Sequence, residues 1–198
     1  MKISYSPASP YVRKCIAVAI ARGIDGQLEK WVTKTTSPEL QALNPLSKVP
    51  TLVTDDGMAL YDSPVICEYL DSVGTAANLF PAAGPARWKA LQLAALGDGI
   101  MDASQPRRRE IPLPQDEGRV EWIAMQAGKV VRALDALEAS ATSLHALATI
   151  GEITVACALG YLDFRFANEP WRPGHPKLTA WYESVLKLPP ISQTMPAG

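Results

Sequence analysis

Cysteine is scarce in this chain of 198 residues, and long apolar runs are absent. The three cysteines, Cys15, Cys67 and Cys157, lie far apart and form no CxxC pair, which indicates reduced thiols in a cytosolic protein and no disulfide framework. No stretch is apolar enough over a sufficient length to span a membrane, and no secretory signal follows Met1. We therefore expect a cytoplasmic protein without a membrane partner.

An excess of either charge is also missing. The 19 basic and 20 acidic residues give a net charge of −1, which argues against a general nucleic-acid-binding protein. The only histidines, His145 and His175, are too far apart for a local metal motif, and no cysteine is suitably spaced from them. We therefore expect neither a nucleic-acid partner nor a metal. The length allows one large domain or two small ones.

Short strand and helix patterns alternate in the first third of the chain. The predicted order is β-α-β-α-β-β-α, with strands at 2–5, 27–33, 51–54 and 58–61 and helices at 10–22, from 38 onward (capped by Ser37) and at 64–73. Asp55-Asp56-Gly57 is typical of a hairpin between the last two strands. The first two helices would then be crossovers, and the hairpin would add an antiparallel edge to the sheet.

The rest of the chain has helical periodicity. Residues 74–85 are rich in Ala, Gly and Pro and are typical of a linker. Beyond them we predict helices at 87–104, 116–139, 150–166 and 176–188. A capping box at Thr149 would start the third of these, and Pro189-Pro190 would end the last. The predicted domains are 1–74 and 87–198, with a linker at 75–86.

Two motifs at close range indicate a binding site. Residues 44–52 (NPLSKVPTL) form a turn before a strand, and a cis Val49-Pro50 bond would leave the Val49 N–H and C=O free for an extended ligand. Ser63 would cap the next helix, with Pro64 at its first position, where unpaired N–H groups attract an anion. Each motif alone is more typical of an ordinary turn or cap than of a site, but their order and proximity reverse that preference.

Ser9 precedes the first predicted helix and is a candidate for chemistry. A hydroxyl at a helix N-terminus can donate to an anion such as a ligand thiolate, although Ser9 could also merely cap its own helix. Tyr5 and Ser6 are weaker candidates for the same donor. Residues 107–109 (RRR) are typical of a solvated charge run, with a pocket for an acidic co-substrate as the alternative.

Together these motifs resemble cytosolic glutathione S-transferases of a bacterial type, over nearly the whole chain. The matching segments are 9–14 (SPYVRK), 44–52 (an NPxxxVPxL turn), 62–63 (an acid-Ser pair), 68–70 (EYL), 79–81 (LFP), 149–152 and 176–181. The resemblance implies an α/β thioredoxin-like N-terminal domain plus an all-α C-terminal helical domain, usually as a homodimer.

The resemblance also implies roles for individual residues. Glutathione, as co-substrate, would lie along Val49 and Pro50, with Asp62 and Ser63 holding its γ-glutamyl end and Lys48 contacting its glycine end. We expect no metal in this chemistry.

Ser9 matches the serine that hydrogen-bonds the glutathione sulfur in Ser-type members of the family. A serine cannot form a mixed disulfide, which argues against the thiol-reductase chemistry of relatives with cysteine at this position. The electrophile would contact Tyr11, Met101 and Arg107. The expected function is a detoxifying glutathione transferase that activates the thiol for attack on a small electrophile. A non-catalytic glutathione-binding or interaction protein and a glutathione-dependent isomerase or dehalogenase are the alternatives.

Overall fold

The computed structural model describes all residues from Met1 to Gly198, and they form two compact units. One unit comprises Met1–Trp88 together with Leu188–Gly198, and the other comprises Lys89–Lys187. Residues 188–198 fall within the predicted helical domain. In the structure they belong to the first unit, because the short C-terminal helix packs against the first helix of the chain.

A four-stranded mixed sheet organises the first unit. The elements are β1 (Lys2–Tyr5), α1 (Pro10–Ala21), β2 (Glu29–Val32), α2 (Pro38–Leu43), β3 (Leu52–Val53), β4 (Ala59–Leu60) and α3 (Ser63–Val73). The strand order is β2-β1-β3-β4. β1 pairs with β2 in parallel and with β3 antiparallel, and β4 adds the antiparallel edge. The predicted thioredoxin-like order is therefore confirmed, with shorter strands.

Helix α1 forms the centre of the first unit, because its residues from Val12 to Ala19 are all buried. The helix ends at Ala21, and Gly23, two residues later, has a φ of +69°, which favours glycine. Just before that glycine, Arg22 donates to the Asp71 C=O at 2.9 Å and pairs with the Asp71 carboxylate at 3.0 Å. This buried pair joins the C-terminal ends of α1 and α3. A buried ion pair stabilises a fold only when further hydrogen bonds satisfy its charged groups, and the Asp71 C=O supplies such a bond here.

The second unit is helical, as predicted. Its elements are α4 (Gly84–Glu110, which begins in the first unit), α5 (Glu117–Ser140), α6 (Ile150–Arg165) and α7 (Pro176–Val185). Helix α6 is the core of the unit, since its residues are buried from Ile150 to Leu162. A Cβ at Gly97 would lie 2.9 Å from the Thr154 side chain, so this glycine allows α4 and α6 to pack closely.

The end of the chain corrects one prediction. Pro189 and Pro190 do not end the preceding helix, because α7 already ends at Val185. They instead open α8 (Pro189–Ser192), since the first turn of a helix needs no backbone N–H donor from proline. None of the helices combines the length and the hydropathy that crossing a membrane requires.

Candidate glutathione site

The predicted turn lies beside the C-terminal end of β1. The Ser4 N–H donates to the Thr51 C=O at 2.8 Å, and the Thr51 N–H donates to Ser4 Oγ at 2.7 Å. Both residues are buried. These bonds fix the entry to β3 next to the strand end from which the loop to α1 departs. The turn and the start of α1 therefore lie at the same end of the sheet, next to the C-terminal end of β1.

Asn44 holds the turn together from inside. Its side chain is completely buried, and its Oδ1 accepts from the Leu46 N–H at 2.9 Å. Its Nδ2 donates to Thr51 Oγ1 at 2.9 Å, and Thr51 Oγ1 donates to the Lys48 C=O at 2.9 Å. This role of Asn44 is not among the predictions from the sequence. The Asn-Pro pair that opens the motif is the signal that could have revealed it, because asparagine side chains commonly bond the backbone two residues on.

Val49 presents the backbone of the turn. The Val49-Pro50 bond is cis. The Val49 N–H and C=O form no hydrogen bond within the chain, and the residue is only half-buried. An extended ligand can pair with such a backbone edge as an added strand would. Lys48, the preceding residue, is exposed.

Helix α3 begins one residue earlier than predicted, at Ser63, with Asp62 as its N-cap. The Asp62 side chain is exposed and makes no capping hydrogen bond. Ser63 is 3% exposed, at the first position of the helix. The peptide bond between Tyr61 and Asp62 is also cis. This helix start therefore offers a carboxylate for a cation, with a hydroxyl and the positive end of the helix dipole for an anion.

Ser9 caps α1, so the structural role considered for it in the sequence analysis is realised. Its Oγ accepts from the Val12 N–H at 3.3 Å, and Pro10 occupies the first helical position. This bond uses one lone pair of the hydroxyl and leaves its proton available for donation. Because Ser9 is only half-buried, a ligand can reach it.

Helices α1 and α3 pack directly against each other under the site. Cys15 Sγ lies 3.8 Å from the Ser63 C=O oxygen and 3.8 Å from Cys67 Sγ. Cys15 is six residues after Ser9, about 9 Å along the helix. The starts of α1 and α3 therefore belong to one packed layer. All three cysteines are buried and unlinked, in agreement with the reduced state that the sequence predicts.

The residues predicted for the electrophile have different environments. Tyr11 is half-buried in the first turn of α1. Met101 is completely buried within the second unit, so the structure gives no support for its direct contact with a substrate. Arg107 is not a free cation. Its Nη2 donates to both carboxylate oxygens of Glu169, at 2.8 and 2.7 Å, and its guanidinium lies 4.9 Å from the Phe166 ring centroid.

The remainder of the arginine run faces a buried phenol. Burial raises the pKa of Tyr161 on α6, and the positive charges of Arg108, Arg165 and Arg109 offset part of this rise. Arg108 and Arg109 are themselves exposed, as the predicted solvated charge run requires, and only Arg107 pairs with a carboxylate. No group of His, Cys, Asp and Glu side chains has an arrangement that could hold a metal ion.

Two segments of the chain match models of one known family. Residues 8–73 match the family model described as the glutathione S-transferase N-terminal domain, and residues 120–184 match the C-terminal domain of the same family. The chain belongs to the glutathione S-transferase family. The N-terminal match spans Ser9, the turn at 44–52 and the Asp62-Ser63 pair, so these three motifs lie within the family's N-terminal domain.

Similar proteins match this family member along its whole length. The uncharacterized GST-like protein YibF of Escherichia coli K12 is 31% identical over 99% of this chain and 98% of its own. A glutathione transferase family member from Pseudomonas fluorescens Pf-5 with bound glutathione is 41% identical, with a TM-score of 0.90, over 100% of this chain and 99% of its own. A structure from that organism with bound S-(propanoic acid)-glutathione is 42% identical, with a TM-score of 0.89 and full coverage of both chains.

Proposed function

We propose that this family member is a glutathione transferase, which binds glutathione at the site described above and directs its thiol to a small electrophile. The observation that carries the proposal is a pair of unused binding groups on one edge of the first unit. These are the unbonded backbone of Val49 and the uncapped start of α3 at Asp62 and Ser63. The extended backbone of a tripeptide can pair with Val49, while one of its charged ends can bind at the start of α3.

Each end of glutathione has a complementary group in this arrangement. Asp62 would hold the γ-glutamyl ammonium group, while Ser63 and the α3 N-terminus would hold the neighbouring carboxylate. The cysteinyl backbone would pair with Val49, and Lys48 would approach the glycine carboxylate. The two Pseudomonas fluorescens structures, which hold glutathione and its propanoic acid thioether, support this assignment by similarity.

Ser9 would act on the glutathione sulfur. Its hydroxyl would donate a hydrogen bond to the thiolate, and the positive potential at the N-terminus of α1 would also favour the thiolate over the thiol. Each unit by which the thiol pKa falls corresponds to about 1.4 kcal/mol. The thiol proton would pass to solvent, and the sulfur lone pair would form a C–S bond with the electrophilic carbon. In a substitution the leaving group departs with its bonding electrons, whereas in an addition the adjacent carbanion takes a proton from water.

Calorimetric titration of glutathione tests the binding part of the proposal. The Asp62→Ala/Ser63→Ala variant should lose affinity by about 100-fold or more, because a charge-assisted contact disappears at each end of the γ-glutamyl group. The matched control is Glu68→Ala/Ser72→Ala, which removes the same two groups from the exposed face of the same helix. Equal losses in both variants, or no binding by the wild type, would exclude this glutathione site.

Turnover requires a separate measurement. A panel of small electrophiles with a mass-spectrometric balance of glutathione should show its consumption and one thioether product. Full recovery of glutathione with a changed substrate would instead identify an isomerase, and binding without turnover of any electrophile would favour the non-catalytic alternative, since fold alone does not determine function. The homodimer and the cytoplasmic location implied by the family remain part of the proposal, and light scattering of the purified protein tests the former.

A further inference from the structure

A small cavity in the first unit adjoins the start of α1. Its volume is about 40 Å³, and its lining includes Ser6, Arg13, Lys30, Gln193 and Thr194. The residues proposed to hold glutathione do not line it. A buried water needs about 10–15 Å³ of such space, so the cavity has room for about three water-sized groups. That size suits one small ion and excludes a drug-sized ligand.

Arg13 contributes a buried charge to this cavity. The residue is 4% exposed, and its Nη1 is buried without a hydrogen-bond partner. Its other donors reach only neutral acceptors: Nε donates to Thr194 Oγ1 at 3.3 Å, and Nη2 donates to the Ile191 C=O at 3.3 Å and to Met195 Sδ at 3.4 Å. Charge-assisted bonds to an anion are shorter, at about 2.7–2.9 Å. The guanidinium is therefore held in place without being neutralised.

Lys30 adds a second cation to the same lining. Its Nζ lies 5.3 Å from the centroid of the Tyr5 ring, which is also part of the cavity wall. No carboxylate lines the cavity, and no ion pair within 4.0 Å forms at either Arg13 or Lys30. The neighbouring polar side chains, Ser6 and Gln193, can both donate hydrogen bonds. Buried charges in proteins are normally paired, so the buried guanidinium of Arg13 lacks its anion.

We propose that this cavity binds a small oxyanion of the phosphate type. Two positive charges favour a doubly charged ion, and the planar guanidinium of Arg13 is suited to phosphate oxygens. The bound ion would contact three separate segments: the loop after β1 through Ser6, helix α1 through Arg13, and the C-terminal segment through Thr194. The C-terminal segment also reaches this loop directly, because the Ala197 N–H donates to the Pro7 C=O at 3.3 Å.

Thermal unfolding and calorimetry with inorganic phosphate test the proposal. A ligand that binds only the folded protein raises its stability with concentration. In phosphate-free buffer, phosphate well above its Kd should raise Tm by about 2–4 °C or more, while sodium chloride of the same ionic strength should not. Sulfate should act like phosphate, and acetate should act more weakly. Equal effects of phosphate and chloride would overturn the proposal, because they would show general screening.

Variants distinguish this cavity from other anion sites. Lys30→Gln changes an exposed residue and should weaken phosphate binding about 5–10-fold, whereas Lys34→Gln, an exposed lysine outside the lining, should bind as the wild type does. Arg13→Met should abolish the phosphate-dependent rise in Tm. Asp62→Ala/Ser63→Ala should keep it, which separates this ion from any bound at the start of α3. Loss of the response in Asp62→Ala/Ser63→Ala, with retention in Lys30→Gln, would refute the assignment.

Discussion

The starts of helices α3 and α6 differ in how their polar groups are used. At α6 the Gly151 N–H donates to Thr149 Oγ1 at 3.1 Å, and the Thr149 N–H donates to Glu152 Oε2 at 2.9 Å. The Thr149 and Glu152 side chains therefore already bond to the backbone of their own helix start. At α3 the Asp62 side chain makes no capping bond. Both starts carry the acid and hydroxyl residues that typify a cap. Only the hydrogen-bond partners distinguish a structural cap from one that is available to a ligand.

Helix α1 is an intermediate case. The Ser9 hydroxyl accepts from the Val12 N–H, but the bond is long, at 3.3 Å, and the hydroxyl proton is not used by the cap. Ser9 can therefore serve its helix and a ligand together. The comparison predicts that mutations at α6 will change stability alone, mutations at α3 will change binding alone, and mutations at α1 will change both.

The largest effect on stability is expected for Glu152→Ala. Glu152 is 4% exposed and accepts from the N–H groups of His145 and Thr149 and from the Thr149 hydroxyl. Its loss leaves these donors unsatisfied, at a cost of about 2–4 kcal/mol. Thermal unfolding should show Tm lowered by about 6–12 °C, with the Kd for glutathione unchanged. A large loss of glutathione affinity in the folded variant would contradict the structural interpretation of α6.

The next effect is a loss of catalysis in Ser9→Ala. Removal of one donor to the thiolate should lower kcat about 10–100-fold, while the Kd for glutathione changes less than about threefold. Loss of the cap should also cost about 1 kcal/mol of stability. Steady-state kinetics and calorimetry measure these quantities, with Ser6→Ala as the control for a neighbouring hydroxyl. Full activity in Ser9→Ala would remove this residue from the mechanism.

A smaller effect is expected for the stability of Asp62→Ala/Ser63→Ala. Because the Asp62 carboxylate makes no capping bond, its removal should change the free energy of unfolding by less than about 1 kcal/mol. The ligand-free variant should therefore unfold within about 2–4 °C of the wild type. A fall in Tm as large as that of Glu152→Ala would mean that both helix starts have the same structural role.

The smallest expected effect is a change in the pH dependence of stability, caused by Glu138 at the start of α7. Burial raises the pKa of Glu138, but bonds from the Leu178 and Lys177 N–H groups and the charge of Lys177 outweigh it and hold the pKa below its ordinary value. A lowered pKa in the folded state contributes stability at neutral pH, and this contribution is lost as the pH falls through the folded pKa. Unfolding of Glu138→Gln between pH 7 and pH 3 should lose less stability than the wild type, and an identical loss would contradict this account.

The fold was largely predictable because its elements depend on local patterns. The caps at Ser9, Asp116 and Thr149 lie where alternating or helical periodicity begins, and Gly23 ends α1 through its own backbone conformation. Helix ends were less predictable. A proline such as Pro189 can either end one helix or open the next. The packing of α8 on α1 is consistent with the second outcome in this chain.

Some residues of the candidate site could likewise be predicted from the sequence, whereas others could not. The turn at 44–52 and the Asp62-Ser63 pair are visible as motifs, because each is built from neighbouring residues. The role of Asn44 was missed because its partner Thr51 joins it only when the turn closes against Ser4. The burial of Met101 and the pairing of Arg107 with Glu169 depend on the packing of helices far apart in the chain.

The amino-acid sequence by itself determined the order of strands and helices, the family, and the motifs of the candidate glutathione site. Hydrophobic periodicity, caps and turns act over a few residues, so they can be read without a structure. The tertiary structure alone decided which caps are already satisfied and which buried charges have partners. The unpaired Nη1 of Arg13 is one such result, since the residues that could neutralise it are brought near or kept away only by folding.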